Sequence, residues 1–410
     1  MRESWELKKV IDVCLVTDYV ANGSFKSLSD NVTYNYEKDY ALLLRTTDFT
    51  KNFKKSFVYV NEDAYKFLKK SSVYPNDIVI CNVGSVGLTF LVPDLKGPMT
   101  IGPNSILIRP LSKKELDNKF FYYLFKSPFG QDLIKTITSG TTQSKFNKTN
   151  FRQLEIPIPP FQEQKQIVAI LDEAFIAIDQ AKANVKKNIQ NAKELFQSKL
   201  NDIFSQMGNS WEKKSLEELA TIKSGGTPSR AKLEYWDNDS IAWYSSGELN
   251  DLYTTEPKRY ITNIGLENSN AKLFPKGSLL IGMYDTAALK MSIIDRHATF
   301  NQAICGLEPN GKINLIFILH AINAIKPEIL KLRRGVRQKN LNQKKIKEIN
   351  ISIPNLDAQN DIVKKLELFN NKIEELNSRN FEKLNYLSEF KKSILQKAFA
   401  GELTNKMAEV

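Results

Sequence analysis

Two stretches of the chain carry apolar residues at alternating steps of four and three. In 160–205 they fall at Ile167, Leu171, Ala174, Ile178, Ala181 and Val185, then drift to Ile189, Ala192, Phe196, Leu200 and Ile203. In 355–400 the matching positions are Ile362, Leu366, Phe369, Ile373 and Leu376, then Phe381, Leu384, Leu387, Phe390, Ile394 and Ala398. This spacing is the seam of a coiled coil. Neither stretch has an internal Gly or Pro, and each starts just after a proline-bearing segment, IPIPP or ISIPN, that resists helix. The pattern predicts two helices of about 46 residues, each roughly 70 Å long, whose seams pair as an antiparallel coiled coil.

The rest of the chain has a different grain. Short β-rich runs such as Ile78-Val79-Ile80, Ser105-Ile106-Leu107-Ile108, Leu279-Leu280-Ile281 and Ala303-Ile304-Cys305 sit among Gly, Asn, Asp and Pro clusters. Each block closes in a predicted helix pair, 113–138 in the first and 312–334 in the second. The expected class is α+β: two α/β blocks separated by two long helices, with divisions at 1–159, 160–205, 206–354 and 355–410. A constant offset of 195 relates the copies. It pairs Gln143 with Gln338, Asn147 with Asn342, Ile156 with Ile351, Pro159 with Pro354, Gln164 with Gln359 and Phe204 with Phe399. Solenoid units are far shorter, so this is a duplicated, pseudo-twofold pair of domains. The helices kept their length while the blocks diverged, which puts specificity in the blocks and a fixed distance in the helices.

Composition is that of a soluble globular chain, 42% hydrophobic and 25% charged. No apolar run reaches the ~18 residues that span a bilayer, and MRESWELKKV has no signal-peptide core. Three widely spaced cysteines, Cys14, Cys81 and Cys305, suit a reducing cytoplasm. With only His297 and His320 beside them, no metal site is expected. The net charge of +12 is localised. Residues 1–159 hold 22 Lys/Arg against 16 Asp/Glu, residues 206–354 hold 21 against 15, and 160–205 has six of each. Two separate basic blocks favour phosphate backbones.

No motif reads as catalytic. An amino-methyltransferase needs an Asn/Asp-Pro-Pro-aromatic loop, and Ile158-Pro159-Pro160-Phe161 lacks the polar group, so it is a helix entry. Gly306 to Lys312 fits GxxxxGK, but Ile313 stands where Mg²⁺ needs Ser or Thr, and Glu308 would face the triphosphate. Turn chemistry explains that stretch, and a tight strand–strand turn explains Gly84-Ser85-Val86-Gly87.

Several segments together resemble the specificity subunit of type I restriction–modification systems. In the second block these are SGGTPSR (224–230), YW (235–236), IAWYSSGEL (241–249) and FNQAICGLEP (300–309). TTQSKFNKTNFRQLEIPIPPFQEQKQIV resembles the start of that family's central conserved helix, and ILQKAFAGEL (394–403) the end of its distal one. The first block departs from the pattern, with VANGSFKSL (20–28) where the glycine loop would stand. The resemblance implies two target recognition domains, each reading half of a split site on double-stranded DNA. It implies helices that set the spacer and dock two modification (methyltransferase) subunits, with restriction (translocase–nuclease) subunits joining them. It also implies a chain with no chemistry or cofactor of its own. S-adenosylmethionine then belongs to the methyltransferase, and ATP and Mg²⁺ to the restriction subunit.

The densest basic patch, 326–347, carries nine Lys/Arg against one Glu. Arg and Gln read guanine and adenine edges, while Lys neutralises phosphate. Arg333, Arg334, Arg337, Gln338 and Lys339 are therefore candidate DNA contacts, and Gln143 and Lys145 are their first-block counterparts. Gly140 and Gly335 stand just after a predicted helix, at a C-cap position. The glycine loop adds Lys223, Ser224, Thr227, Ser229 and Arg230; Lys26 and Arg45 complete the set. The competing reading is a coiled-coil scaffold with two protein-binding heads and no DNA role.

Overall fold

The computed structural model describes residues 4–54, 56–140, 143–205, 211–237, 240–331 and 340–404. The chain divides into two compact units. One takes in residues up to Val185 together with Glu382 onward, and the other is Lys186–Phe381.

Among the described residues the first unit holds ten strands: β1 (Glu6–Lys9), β2 (Cys14–Asp18), β3 (Ala41–Leu44), β4 (Val58–Val60), β5 (Ser72–Val73), β6 (Ile78–Cys81), β7 (Thr89–Leu91), β8 (Met99–Ile101), β9 (Ser105–Pro110) and β10 (Glu155–Ile158). An antiparallel sheet runs β2-β9-β6-β7, a mixed one β4-β3-β8-β5, and β1 pairs with β10. Strands β6 and β9 are buried on both faces, so their period of two divides two cores. Ile78, Ile80, Ile106 and Ile108 face a core shared with the helices, including Phe120 and Phe121 of Asn118–Lys126. Val79 and Leu107 face the second sheet.

The second unit repeats this plan with β11 (Glu212–Ser215), β12 (Ile222–Ser224), β13 (Trp236–Asp237), β14 (Ile241–Tyr244), β15 (Arg259–Ile261), β16 (Leu279–Gly282), β17 (Met291–Ile293), β18 (Ala298–Phe300), β19 (Ile304–Leu307) and β20 (Asn350–Ile353). Its sheets are β12-β19-β16-β17, β13-β15-β14-β18 and β11-β20. Leu279 and Ile281 face the helix-side core, and Leu280 faces the other. The mixed sheets share three strands and differ at the edges. Where the second unit has β13 beside β15, the described residues of the first carry the bridge of Asn35 with Tyr59. Where the first has β5 beside β8, the described residues of the second carry the bridge Phe274 with Ala298.

The long helices span Phe161–Ser205 and Leu356–Ala400. In the first unit Glu163 accepts from Thr404, Asp179 pairs with Lys391, and Ile167, Leu171 and Ile178 share a core with Leu395, Ala398 and Phe399. Partner numbers fall as the first helix advances, so the pairing is antiparallel. In the second unit Phe196 stacks on Phe369, while Leu200 and Phe204 share a core with Val363 and Leu366. Val185 and Ile373 are buried as expected of seam positions; Ile362 and Phe369 are half-buried. Leu376 is a correction: it is 47% exposed, and Phe381 and Phe390 are exposed as well. The inward strip steps from Ile373 to Asn377 and Asn380, and Leu376 stands about 100° around the helix from Asn377.

Both helices start on the same joint. Gln164 accepts from the Asp117 amide at 2.9 Å and donates to the Pro159 carbonyl at 2.9 Å and the Glu115 carbonyl at 2.8 Å. Gln359 accepts from the Asn314 amide at 2.9 Å and donates to the Pro354 carbonyl at 2.9 Å. Both glutamines are buried. A carboxamide supplies the acceptor and the donors at once, which a carboxylate or an apolar residue cannot.

Candidate nucleic-acid interface

The glycine loop of the second unit leaves β12 and is held mainly from within. Lys223 pairs with Glu308 at 2.8 Å, Ser224 faces the Cys305 thiol, and the Thr227 hydroxyl donates to Gln302 at 2.6 Å. A Cβ on Gly225 would lie 2.1 Å from the Phe300 carbonyl oxygen, and one on Gly226 2.3 Å from the Asn270 carbonyl carbon. The paired glycines therefore serve an internal close approach. Trp243 donates to the Gly226 carbonyl and Trp236 to the Ser229 carbonyl, which fixes the loop's path. Of the five candidates on this loop, Ser229 and Arg230 are exposed; Lys223, Ser224 and Thr227 are half-buried and engaged.

Arg333, Arg334, Arg337, Gln338 and Lys339 lie outside the described residues, as does Gly335. The short helix that follows, Gln343–Lys347, is capped by the Asn342 side chain accepting from the Lys345 amide, and it buries Ile346. Its counterpart Lys148–Arg152 is capped by Asn147 and buries Phe151. Upstream, Ser139 bridges Lys145 and closes a loop from which Gln143 and Lys145 are exposed. Gly140 is a second correction. The helix ends at Ile137 with Thr138 as its cap, and Gly140, at φ +99°, is the turn glycine of this loop. Lys26 is exposed on the helix Phe25–Asn31. Arg45 pairs with Asp48 at 2.8 Å and donates to the Ser56 carbonyl, so its charge is already matched.

One basic cluster was not visible in the sequence. A cavity of about 560 Å³ in the first unit is lined by Lys69, Lys70, Arg109, Lys148 and Arg152, with Tyr74. The Arg109 guanidinium lies 4.6 Å over the Tyr74 ring and pairs with Asp77, whose hydrogen bond holds it above its ordinary pKa. Lys148 pairs with Asp18 at 2.8 Å. Lys69 and Lys70 make no ion pair with a described residue. These residues are remote in sequence and meet because β2 pairs with β9.

The remaining groups are structural in character. All three cysteines are buried, and burial pushes the Cys14 and Cys305 thiols up, the latter to about 11. Gly306 lies in β19 under the Phe274 and Phe300 rings, where a Cβ would clash at 2.5 Å. Among the described residues no group of three or more His, Cys, Asp or Glu is placed to hold a metal ion, and no helix is long and apolar enough to cross a membrane.

The family model described as type I restriction modification DNA specificity domain matches residues 2–191 and again 209–386. The chain belongs to that family. Its two specificity domains each take in one block and much of the long helix that follows. A specificity subunit of a type I restriction enzyme from Escherichia coli is 29% identical over 54% of this chain and 57% of its own length, so the chain spans little more than half of that relative. The putative MjaX specificity subunit of Methanocaldococcus jannaschii is 23% identical over 91% of this chain and 88% of that one. Two solved structures share the fold. A chain from a study of assembly and conformational transition in the type I system has a TM-score of 0.74 at 18% identity, covering 98% of this chain and 99% of that one. The HsdS subunit from Thermoanaerobacter tengcongensis has 0.57 at 18% identity, covering 98% of each.

Proposed function

We propose that this chain is the non-catalytic sequence-reading subunit of a type I restriction–modification complex, each head contacting one half of a bipartite site on double-stranded DNA. The observation that carries this reading is the duplication itself. One specificity fold is built twice, with an equal excess of six positive charges in each block and none on the first long helix. The partners in this reading are two methyltransferase subunits, which hold S-adenosylmethionine, and restriction subunits, which use ATP and Mg²⁺. Exposed apolar side chains on the long helices, Ile176, Leu195, Leu368 and Leu376, supply surface for the methyltransferases to cover.

The test is duplex binding and genomic methylation by the chain co-expressed with its methyltransferase. Binding should weaken steeply with salt, because phosphate contacts release counterions. Replacing residues 211–354 by the matching block of a relative should change the letters of one half-site only. Salt-independent binding, or no duplex preference at low salt, would favour the protein-scaffold reading.

A further inference from the structure

Beside the outer edge of β13 and β15 the second head carries an open groove of about 460 Å³. Trp236 and Tyr260 form its aromatic wall, and Arg230, Lys258 and Arg259 bring three cations to it. All three are exposed, and none makes an ion pair with a described residue. Two other cations near this loop and sheet are matched, Lys223 by Glu308 and Arg296 by Asp295 and Glu256. The wall is rigid. Trp236 stands edge-on to Trp243 at 5.2 Å and donates to the Ser229 carbonyl next to Arg230, while the Tyr260 hydroxyl donates to Glu256.

The same edge of the first head gives the contrast. There Asn35 bridges Tyr59, in the register that Asp237 and Tyr260 occupy in the second head. Strand registers place Leu43 opposite Val58 and Trp243 opposite Arg259. Tyr59 thus matches Tyr260, whereas buried Val58 and half-buried Phe57 stand where exposed Arg259 and Lys258 do. The tyrosine of the wall is common to both heads, and the cations in front of it are not. A shared tyrosine with exchangeable polar groups is what two readers of different letters require.

We propose, resting on the DNA reading above, that this groove is a base-reading site of the second head, with Arg230 and Arg259 as donors to a guanine edge and Lys258 as a phosphate contact. A guanidinium fork matches the two acceptors of guanine in the major groove, and an ammonium acts as a point charge. The Asp237 carboxylate, which accepts from Ser240, lines the same groove.

The test uses the chain in complex with its methyltransferase, with methylome mapping and duplex titration over a range of salt. R230A or R259A should relax one G·C position of one half-site and cut discrimination there by roughly 5- to 150-fold, leaving the other half-site unchanged. R259K should keep the salt slope yet lose the letter. K258Q should weaken all duplexes alike and lower the slope by about one. Thermal unfolding checks that these exposed substitutions leave the fold intact. An unchanged motif and unchanged discrimination in R230A and R259A would overturn the assignment. If the parent complex itself showed no salt-dependent duplex binding, the broader DNA reading would be the one to fail.

Discussion

His320 lies on the helix Leu315–Ala324, 8% exposed, its ring 6.2 Å from Phe196, with Nδ1 unpartnered among the described residues. Burial lowers its pKa to about 4, against an ordinary 6.5. Below pH 6.5 the unfolded chain takes up a proton that the folded one refuses until about pH 4. The stability contributed by neutral His320 is therefore complete above 6.5 and lost as pH falls toward 4, by roughly 3 kcal/mol in all. Denaturant unfolding of His320→Leu should show a shallower loss over that range; a slope equal to the parent's would place the pH dependence elsewhere. A histidine in an apolar helical run is readable as a core residue, and so it is here. The two clamp glutamines were visible as a repeat but not as a joint, because their partners, the amides of Asp117 and Asn314, lie 47 and 45 residues away.

At the scale of elements, the long helices were the most legible part of the chain, since a seam sustained over many turns leaves few alternatives. The seam was misplaced where apolar residues flank a polar strip. Asn377 and Asn380 are turned inward with amide atoms unpartnered among the described residues, while Leu376 faces out. Ile373→Ala should accordingly cost about 2–4 kcal/mol in thermal unfolding, as a buried deletion does. Leu376→Ala should stay within about 0.5 kcal/mol. Equal losses would return Leu376 to the seam. The groove of the second head was legible only in its YW dipeptide. The remainder depends on β15 pairing with β13 and β14, which sets Lys258 and Arg259 beside Arg230; no local pattern announces a non-local pairing.

At the scale of the molecule, both long helices are shared between the units, which divide at Val185 in one and Phe381 in the other. Seven residues inserted into each helix at these points add about 10 Å of helix, close to three base-pair steps. Methylome mapping of that variant should find both half-sites unchanged and the unspecified spacer longer by about three base pairs. Altered letters with the parent spacer would contradict a ruler role. The duplicated plan was legible in the 195-residue register, because the joints and helices repeat almost without slippage. The first head's contacts were not, since it lacks the glycine loop that marks the second. The division of the chain also orders its assembly during synthesis. The second unit is one continuous run, so every residue it needs has been made by Phe381. The first unit, though begun earlier, keeps an unfilled core until Leu395, Ala398 and Phe399 arrive, Phe399 setting its ring 5.3 Å from Phe120. The domain encoded first is thus completed last, and a nascent chain stalled just past Phe381, partway through its final helix, would carry one finished head and one waiting.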